Sequence, residues 1–404
     1  MRVEKRLSNT FQEFLQSGQA GGVLLILCTL ASLAIANSAA GGAYLGFWHT
    51  VIGGLSIELW VNDALMAVFF LLVGLELKRE LVSGELSSFQ NALLPVVAAI
   101  GGVAVPALIH FALNNGTPTQ DGIGIPMATD IAFALGVLTL LGKRVPASLK
   151  VFLAALAVID DLIAIVVIAL FYTSQLSVAY LAAALGTFAA LFALNRLFRV
   201  RLLALYLVGG ALMWFFMLKS GVHATIAGVL LAFAIPHSSV QDDAASPSER
   251  LEHVLHTPVA FLILPLFALA NTGVVIGADW MGQLASSNSL GVILGLVAGK
   301  PIGIMLACLL AVTIGICRLP LDLAWRHLLG AGMLGGIGFT MSIFITNLAF
   351  AGRPELVDAS KLAILVASLT SGVLGFVWLT LRGAPTPEDV DPETMDFEVV
   401  DGAR

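Results

Sequence analysis

Two adjacent aspartates, Asp160 and Asp161, stand inside the apolar run VIDDLIAI at 158–165. An ionisable side chain at mid-bilayer depth costs several kcal/mol, so its presence there marks chemistry. Successive helical residues point about 100° apart. The two carboxylates therefore cannot share one proton face to face, but they can line two sides of a cavity. A carboxylate that loses its proton near neutral pH can trade it for a cation. Oxygen ligands suit a hard cation, and no Cys or His cluster at this depth favours zinc or copper. Asp130 in GIPMATD and Lys300 in AGKPIGI are equally deep, whereas Asp63 and Glu76 fall near span ends. Three deep carboxylates against one lysine exceed what a structural ion pair explains, and they point to transport.

The elements that must hold these residues are membrane helices. The chain has 404 residues, 58% hydrophobic and 11% charged. A soluble protein carries about 25% charged residues, so a cytosolic enzyme, a secreted domain and a disordered regulator are excluded. One span takes about 20 residues. Apolar runs fall at 20–36, 60–77, 93–113, 125–142, 148–172, 178–195, 203–218, 222–235, 257–275, 289–316, 327–350 and 360–382. The expected fold is an all-α polytopic membrane protein with twelve transmembrane helices. The three cysteines, Cys28, Cys308 and Cys317, are odd in number and lack metal spacing, so they read as packing residues.

An internal repeat points to the site. GIGIPM at 122–127 echoes GIGFTM at 336–341, placing Gly122, Gly124 and Pro126 against Gly336, Gly338 and Thr340. Polar positions follow: Thr129 and Asp130 in the first copy, Ser342 in the second. These are spans 4 and 11, and seven spans apart means opposite orientation. Interrupted spans in two inverted halves are a sequence pointer to a transporter's binding site.

With the N-terminus inside, sixteen Lys and Arg collect on the cytoplasmic side, and Lys219, Arg353 and Lys361 lie outside. Only Lys300 is left within a span. This asymmetry puts both termini in the cytoplasm. Ala34-Ile35-Ala36 resembles a cleavage site, but the first span is expected to remain as an anchor. The outer loop 40–58 could form a hairpin turning near Gly46 or His49. Residues 1–383 read as one transmembrane domain. Residues 384–404, with seven acids against Arg404, read as a disordered tail. No basic run supports nucleic-acid binding.

An antiporter leads among four function classes. An intramembrane aspartyl protease needs facing aspartates; Asp130 with Asp161 could supply them, but Lys300 then has no role. A cation channel needs no broken inverted repeat. A proton-pumping redox subunit would need cofactor ligands. His253 and His256 in LEHVLH, and His223 in SGVHATIAGV, sit at span starts, where interfacial histidines are common.

The motifs VNDALMAVFFLLVGLELKRE (61–80), GIPMATDIAFALGVL (124–138), VIDDLIAI, SGVHATIAGV, RLEHVLH (250–256), AGKPIGI (298–304) and GGIGFTMSIFI (335–345) occur in order. On these the chain resembles the NhaA-type bacterial sodium/proton antiporters, from about residue 10 to 382. The resemblance implies a bacterial inner-membrane antiporter that expels Na⁺ or Li⁺ for protons, without a cofactor and without enzymatic activity. Asp161 would be the principal cation carboxylate, with Asp160 beside it. Thr129 and Asp130 would sit where the two broken helices cross. Lys300 would pair with Asp160. Regulation by pH would involve Glu76, Arg79, Glu80, Glu252, His253 and His256, with His223 as a further contributor. A homodimer would form through 41–58. Two protons for each Na⁺ would make the exchange electrogenic.

Overall fold

The computed structural model describes residues 20–84, 87–173, 176–237, 246–320 and 322–384. The acidic stretch from 385 on, expected to be a tail, lies outside the described residues. In lipid every backbone polar group must be satisfied within the chain, and helices dominate accordingly. They are α1 (Ala20–Ala36), α2 (Gly41–Trp48), α3 (Ile57–Val82), α4 (Ala92–Asn114), α5 (Ile131–Leu140), α6 (Ala147–Phe171), α7 (Val178–Arg196) and α8 (Leu203–Ser220). There follow α9 (Ile226–Ala234), α10 (Pro247–Asn271), α11 (Ser287–Thr313), α12 (Trp325–Gly335), α13 (Phe339–Ala349) and α14 (Pro354–Arg382). Polarity is inverted relative to a soluble protein. Leu170, Leu369 and Leu381 are 72%, 71% and 74% exposed, whereas Asp160, Asp161 and Lys300 are 0% exposed.

Nine helices among the described residues are long and apolar enough to cross a membrane, and up to eleven if each of two bent pairs counts as one span. The sequence predicts twelve. The difference lies at 222–235, which yields only the nine-residue α9. At 1.5 Å per residue α9 is about 14 Å long, so the non-helical residues 221–225 before it make up part of this crossing of a hydrocarbon core of about 30 Å. Gly221, at φ 84°, ends α8, and the turn after it uses residues that a full-length helix would need.

The outer hairpin also differs from expectation. Residues 41–48 are helical, and α2 turns back from α1 at 119°. The reversal falls at Gly53–Gly54, between strands β1 (Val51–Ile52) and β2 (Leu55–Ser56), not at Gly46 or His49. Both glycines have positive φ, 63° and 91°. A type I′ two-residue hairpin turn has positive φ at both centres, and glycine supplies it without a Cβ penalty.

Two irregularities position Lys300. Pro301 has no N–H to give the carbonyl four residues back, and the preceding turn, Gly295–Gly299, widens into a π-helix. Past this point α11 lies flush on α4. A Cβ on Gly303 would come 2.1 Å from Gly101 O, and one on Gly101 would come 2.3 Å from Gly303 O. Without a hydrophobic drive between helices in lipid, such close backbone approach is a main source of association. It fixes the depth and rotation of Lys300.

Candidate functional site

Both predicted interruptions are present, though the echo does not align them. In span 4 the motif Gly122–Met127 falls in a 3₁₀ helix, Gln120–Met127, and the break comes after it, at Ala128–Asp130. In span 11 Gly336–Gly338 form the break itself, and α12 and α13 are bent by 46° across it. Helix ends leave N–H and C=O groups without intrahelical partners. Here each broken span satisfies the other. Asp130 Oδ1 accepts from Phe133 N at 2.9 Å, at the start of α5. Its Oδ2 accepts from Thr340 N at 3.1 Å and Thr340 Oγ1 at 2.6 Å, at the start of α13. Asp130 N donates to Ile337 O at 2.7 Å. Ser342 Oγ donates to Ile125 O at 2.7 Å. One carboxylate thus caps the positive ends of two half-helices.

Beside this crossing stand the other deep charges. Lys300 Nζ donates to Asp160 Oδ2, and both side chains are fully buried. Thr129 Oγ1 lies 2.7 Å from Asp160 Oδ2 and 2.8 Å from Gly335 O, the last carbonyl of α12. A hydroxyl has one hydrogen to give, so it serves these acceptors one at a time. Asp161 differs. Its two oxygens are buried, and among the described residues nothing donates to either. No group of three or more His, Cys, Asp or Glu converges as a metal centre among the described residues. The three carboxylates have separate surroundings: Asp130 is capped, Asp160 is paired and Asp161 is bare.

A second polar group gathers at the far end of α3. Glu76 is buried, and Arg79 Nε lies 3.1 Å from Glu252 Oε1 while Arg79 Nη2 lies 3.2 Å from Glu80 Oε1. Arg79 so ties α3 to α10. His253 is exposed and His256 half-buried on α10. His223 is not with them. Its Nδ1 is 3.8 Å from Asp63 Oδ1, and Asp63 is 13 residues before Glu76, roughly 20 Å along a helix.

Several residues here escaped the search for charges in spans. Lys78 Nζ donates to the carbonyls of Ala232 and Phe233, each at 3.2 Å, and to that of Ile235, closing the C-terminus of α9. Asn271 Oδ1 accepts from Asn62 at 3.2 Å and from Asn347 at 2.6 Å, joining α3, α10 and α13. His237 Nδ1 is 2.8 Å from Ser248 Oγ and Nε2 is 3.4 Å from Ser83 Oγ. Lys78 and Asn62 lie in the motif at 61–80, and their polarity within an apolar run was the available signal.

Interrupted spans that cross beside a buried lysine–aspartate pair and a bare carboxylate define a helical membrane transporter rather than an enzyme. The family model described as Na⁺/H⁺ antiporter 1 matches residues 12–379, and the chain belongs to that family. It is 68% identical over 378 residues to the Na⁺/H⁺ antiporter NhaA of Dechloromonas aromatica, covering 94% of this chain and 97% of that protein. It is 56% identical over 376 residues to the Na⁺/H⁺ antiporter NhaA of Cytophaga hutchinsonii, covering 93% and 96%. It is also 56% identical to Na⁺/H⁺ antiporter NhaA 1 of Flavobacterium johnsoniae over 374 residues, 93% of this chain and 97% of that one.

Proposed function

We propose that this protein exports Na⁺ or Li⁺ in exchange for protons across the bacterial inner membrane, serving cytoplasmic pH and sodium balance. The observation that carries the reading is the bare Asp161 carboxylate beside the Lys300–Asp160–Thr129 group. A buried carboxylate without a donor is stable only protonated or with a cation against it. Asp161 therefore releases its proton as Na⁺ arrives. Asp160, freed from Lys300, and the Thr129 hydroxyl add oxygens of the kind a hard cation takes. Asp130 holds the crossing in shape.

A second proton from the Asp160–Lys300 pair gives two H⁺ per Na⁺ and one net charge per cycle. The Arg79–Glu252 tie between α3 and α10, with Glu76, Glu80, His253 and His256 near it, supports control by cytoplasmic pH. His223, paired with Asp63, contributes from the other end. The distribution of Lys and Arg supports cytoplasmic termini. Residues 41–58 carry the homodimer contact, residues 1–383 form the single transport domain, and the acidic segment 384–404 is a cytoplasmic tail.

The test is dissipation of ΔpH in everted vesicles when Na⁺, Li⁺ or K⁺ is added separately. Na⁺ and Li⁺ should release protons in the parent. Asp161→Asn keeps the shape and removes the charge, and it should abolish that release while the protein still inserts. Near-normal exchange in Asp161→Asn would sink the assignment.

A further inference from the structure

The 3₁₀ half of span 4, Gln120–Met127, is held by side chains from elsewhere in the fold. Tyr172, the residue that closes α6, makes the notable contact. Gly124 N donates to Tyr172 Oη at 3.2 Å, and Tyr172 Oη donates to Asp121 O at 2.7 Å. Asp121 and Gly124 stand three apart. They are the C=O and N–H that a 3₁₀ turn closes directly on each other. The phenol hydroxyl therefore bridges the two backbone groups of one turn of the half-span. Gly124 permits the approach, since a Cβ there would lie 2.7 Å from Tyr172 Oη.

Tyr172 also shares a helix with the candidate cation carboxylate. Asp161 is eleven residues earlier, which returns to within about 20° of the same face, roughly 16 Å along the axis. A movement of α6 thus reaches the half-span through this hydroxyl at its outer end, in addition to the packing of Ile163 and Val167 around Met127. At the exposed tip the same segment has one more tether. Arg353, after α13, lies 3.0 Å from Asp121 Oδ2 and donates to Pro118 O at 2.6 Å. The charge distribution assigns this end of the bundle to the outside.

We propose that Tyr172 is a positioning residue for outward access: its hydroxyl latches the helix bearing Asp161 to the outer half of span 4, and the outer path opens when that bridge lets go. The inference rests on the transport reading above. Tyr172→Phe removes the oxygen alone. Asp121 C=O and Gly124 N–H can then close on each other, so no buried polar group is orphaned and folding survives.

The experiment uses proteoliposomes holding the full chain, with insertion direction scored by protease access to the 384–404 tail. The half-saturating Na⁺ concentration is measured with Na⁺ applied to each face in turn. Tyr172→Phe should change the value at the outer face by about two- to tenfold, the range one hydrogen bond is worth, and leave the inner value within experimental scatter. Asp121→Asn, which loosens the tether at the exposed tip, should change the outer value in the same direction by less. An equal change at both faces, a change confined to the inner face, or no change in either variant overturns the proposal. Should Tyr172→Phe fail to insert, Asp121→Asn decides alone by the same criterion. Absence of Na⁺-dependent exchange in the parent would instead overturn the transport reading.

Discussion

Removing one member of the Lys300–Asp160 pair and then both separates charge pairing from packing. Both side chains are fully buried, and Asp160 Oδ1 has no donor among the described residues. The carboxylate thus depends on Lys300 and on Thr129, whose single hydrogen is shared with Gly335 O. Lys300→Met keeps the length of the side chain and removes its charge. It leaves a buried anion with half a hydroxyl for company. Breaking one side of such a pair costs about 3–5 kcal/mol, or two to four orders of magnitude in the folding equilibrium at roughly 1.4 kcal/mol per decade. Asp160→Asn should cost about as much, since it strands the ammonium. The double variant strands nothing, and replacing a whole buried pair is often neutral. Thermal and denaturant unfolding of the four purified proteins in detergent measures the cycle. The singles should be strongly destabilised and the double should recover most of the loss. Additive losses, or singles within about 1 kcal/mol of the parent, would refute the reasoning that the pair holds this interior together.

Gly303→Ala forces a methyl group against Gly101 O, 2.1 Å from where its Cβ must go. It should cost about 1–3 kcal/mol, while Gly42→Ala, which meets nothing within 4 Å, should leave the melting temperature unchanged. If one net charge moves per cycle, an imposed potential of about 100 mV contributes roughly 2.3 kcal/mol, near 50-fold in the Na⁺ gradient sustained. Flux in proteoliposomes that ignores the potential would mean one-for-one exchange. Replacing His253 and His256 together by Ala should move the activity–pH profile with little change in the saturated rate; an unmoved profile returns them to interfacial histidines. His237 lies outside the spans. Burial pushes its pKa below the ordinary 6.5, with Lys78 and Arg79 pushing the same way and Glu249 opposing. A histidine depressed in the folded state stabilises above its unfolded pKa, and that contribution is lost as pH falls from about 6.5 through the lower folded pKa. His237→Gln should flatten this part of the stability–pH curve, read from melts between pH 5 and 8.

The deep charges were legible because Asp160, Asp161 and Lys300 interrupt runs where charge is costly. Their partners were not legible from spacing, because Lys300 meets Asp160 across 140 residues and Thr340 meets Asp130 across 210. The glycine echo located the broken spans but misaligned them. In span 4 the glycines fit a tight 3₁₀ turn held by contacts remote in sequence, and in span 11 they are the break. In the outer loop the turn was expected near Gly46 or His49; it falls at Gly53–Gly54, the glycine pair that takes positive φ, while the pair Gly41–Gly42 starts a helix. The amide cluster of Asn62, Asn271 and Asn347 carries no charge, so a search for charges in spans passed over it. Span 8 crosses with only nine helical residues, because residues 221–225 before them make a turn that hydropathy cannot register.

The capping by Asp130 bears on how such a molecule can move. Its carboxylate accepts three hydrogen bonds, one from the start of α5 and two from the start of α13. Bonds to a charged group are worth about 1.5–3 kcal/mol each. Prising the two half-helices apart would forfeit two of them, roughly 3–6 kcal/mol, and leave an anion facing hydrocarbon. At thermal energies of about 0.6 kcal/mol, the crossing behaves as a riveted joint rather than a hinge. The alternating exposure that exchange requires must then come from neighbouring helices pivoting around a fixed hub. The softer places for that bending are the widened turns at 60–65, 259–263 and 295–299, where the regular helical ladder is already interrupted.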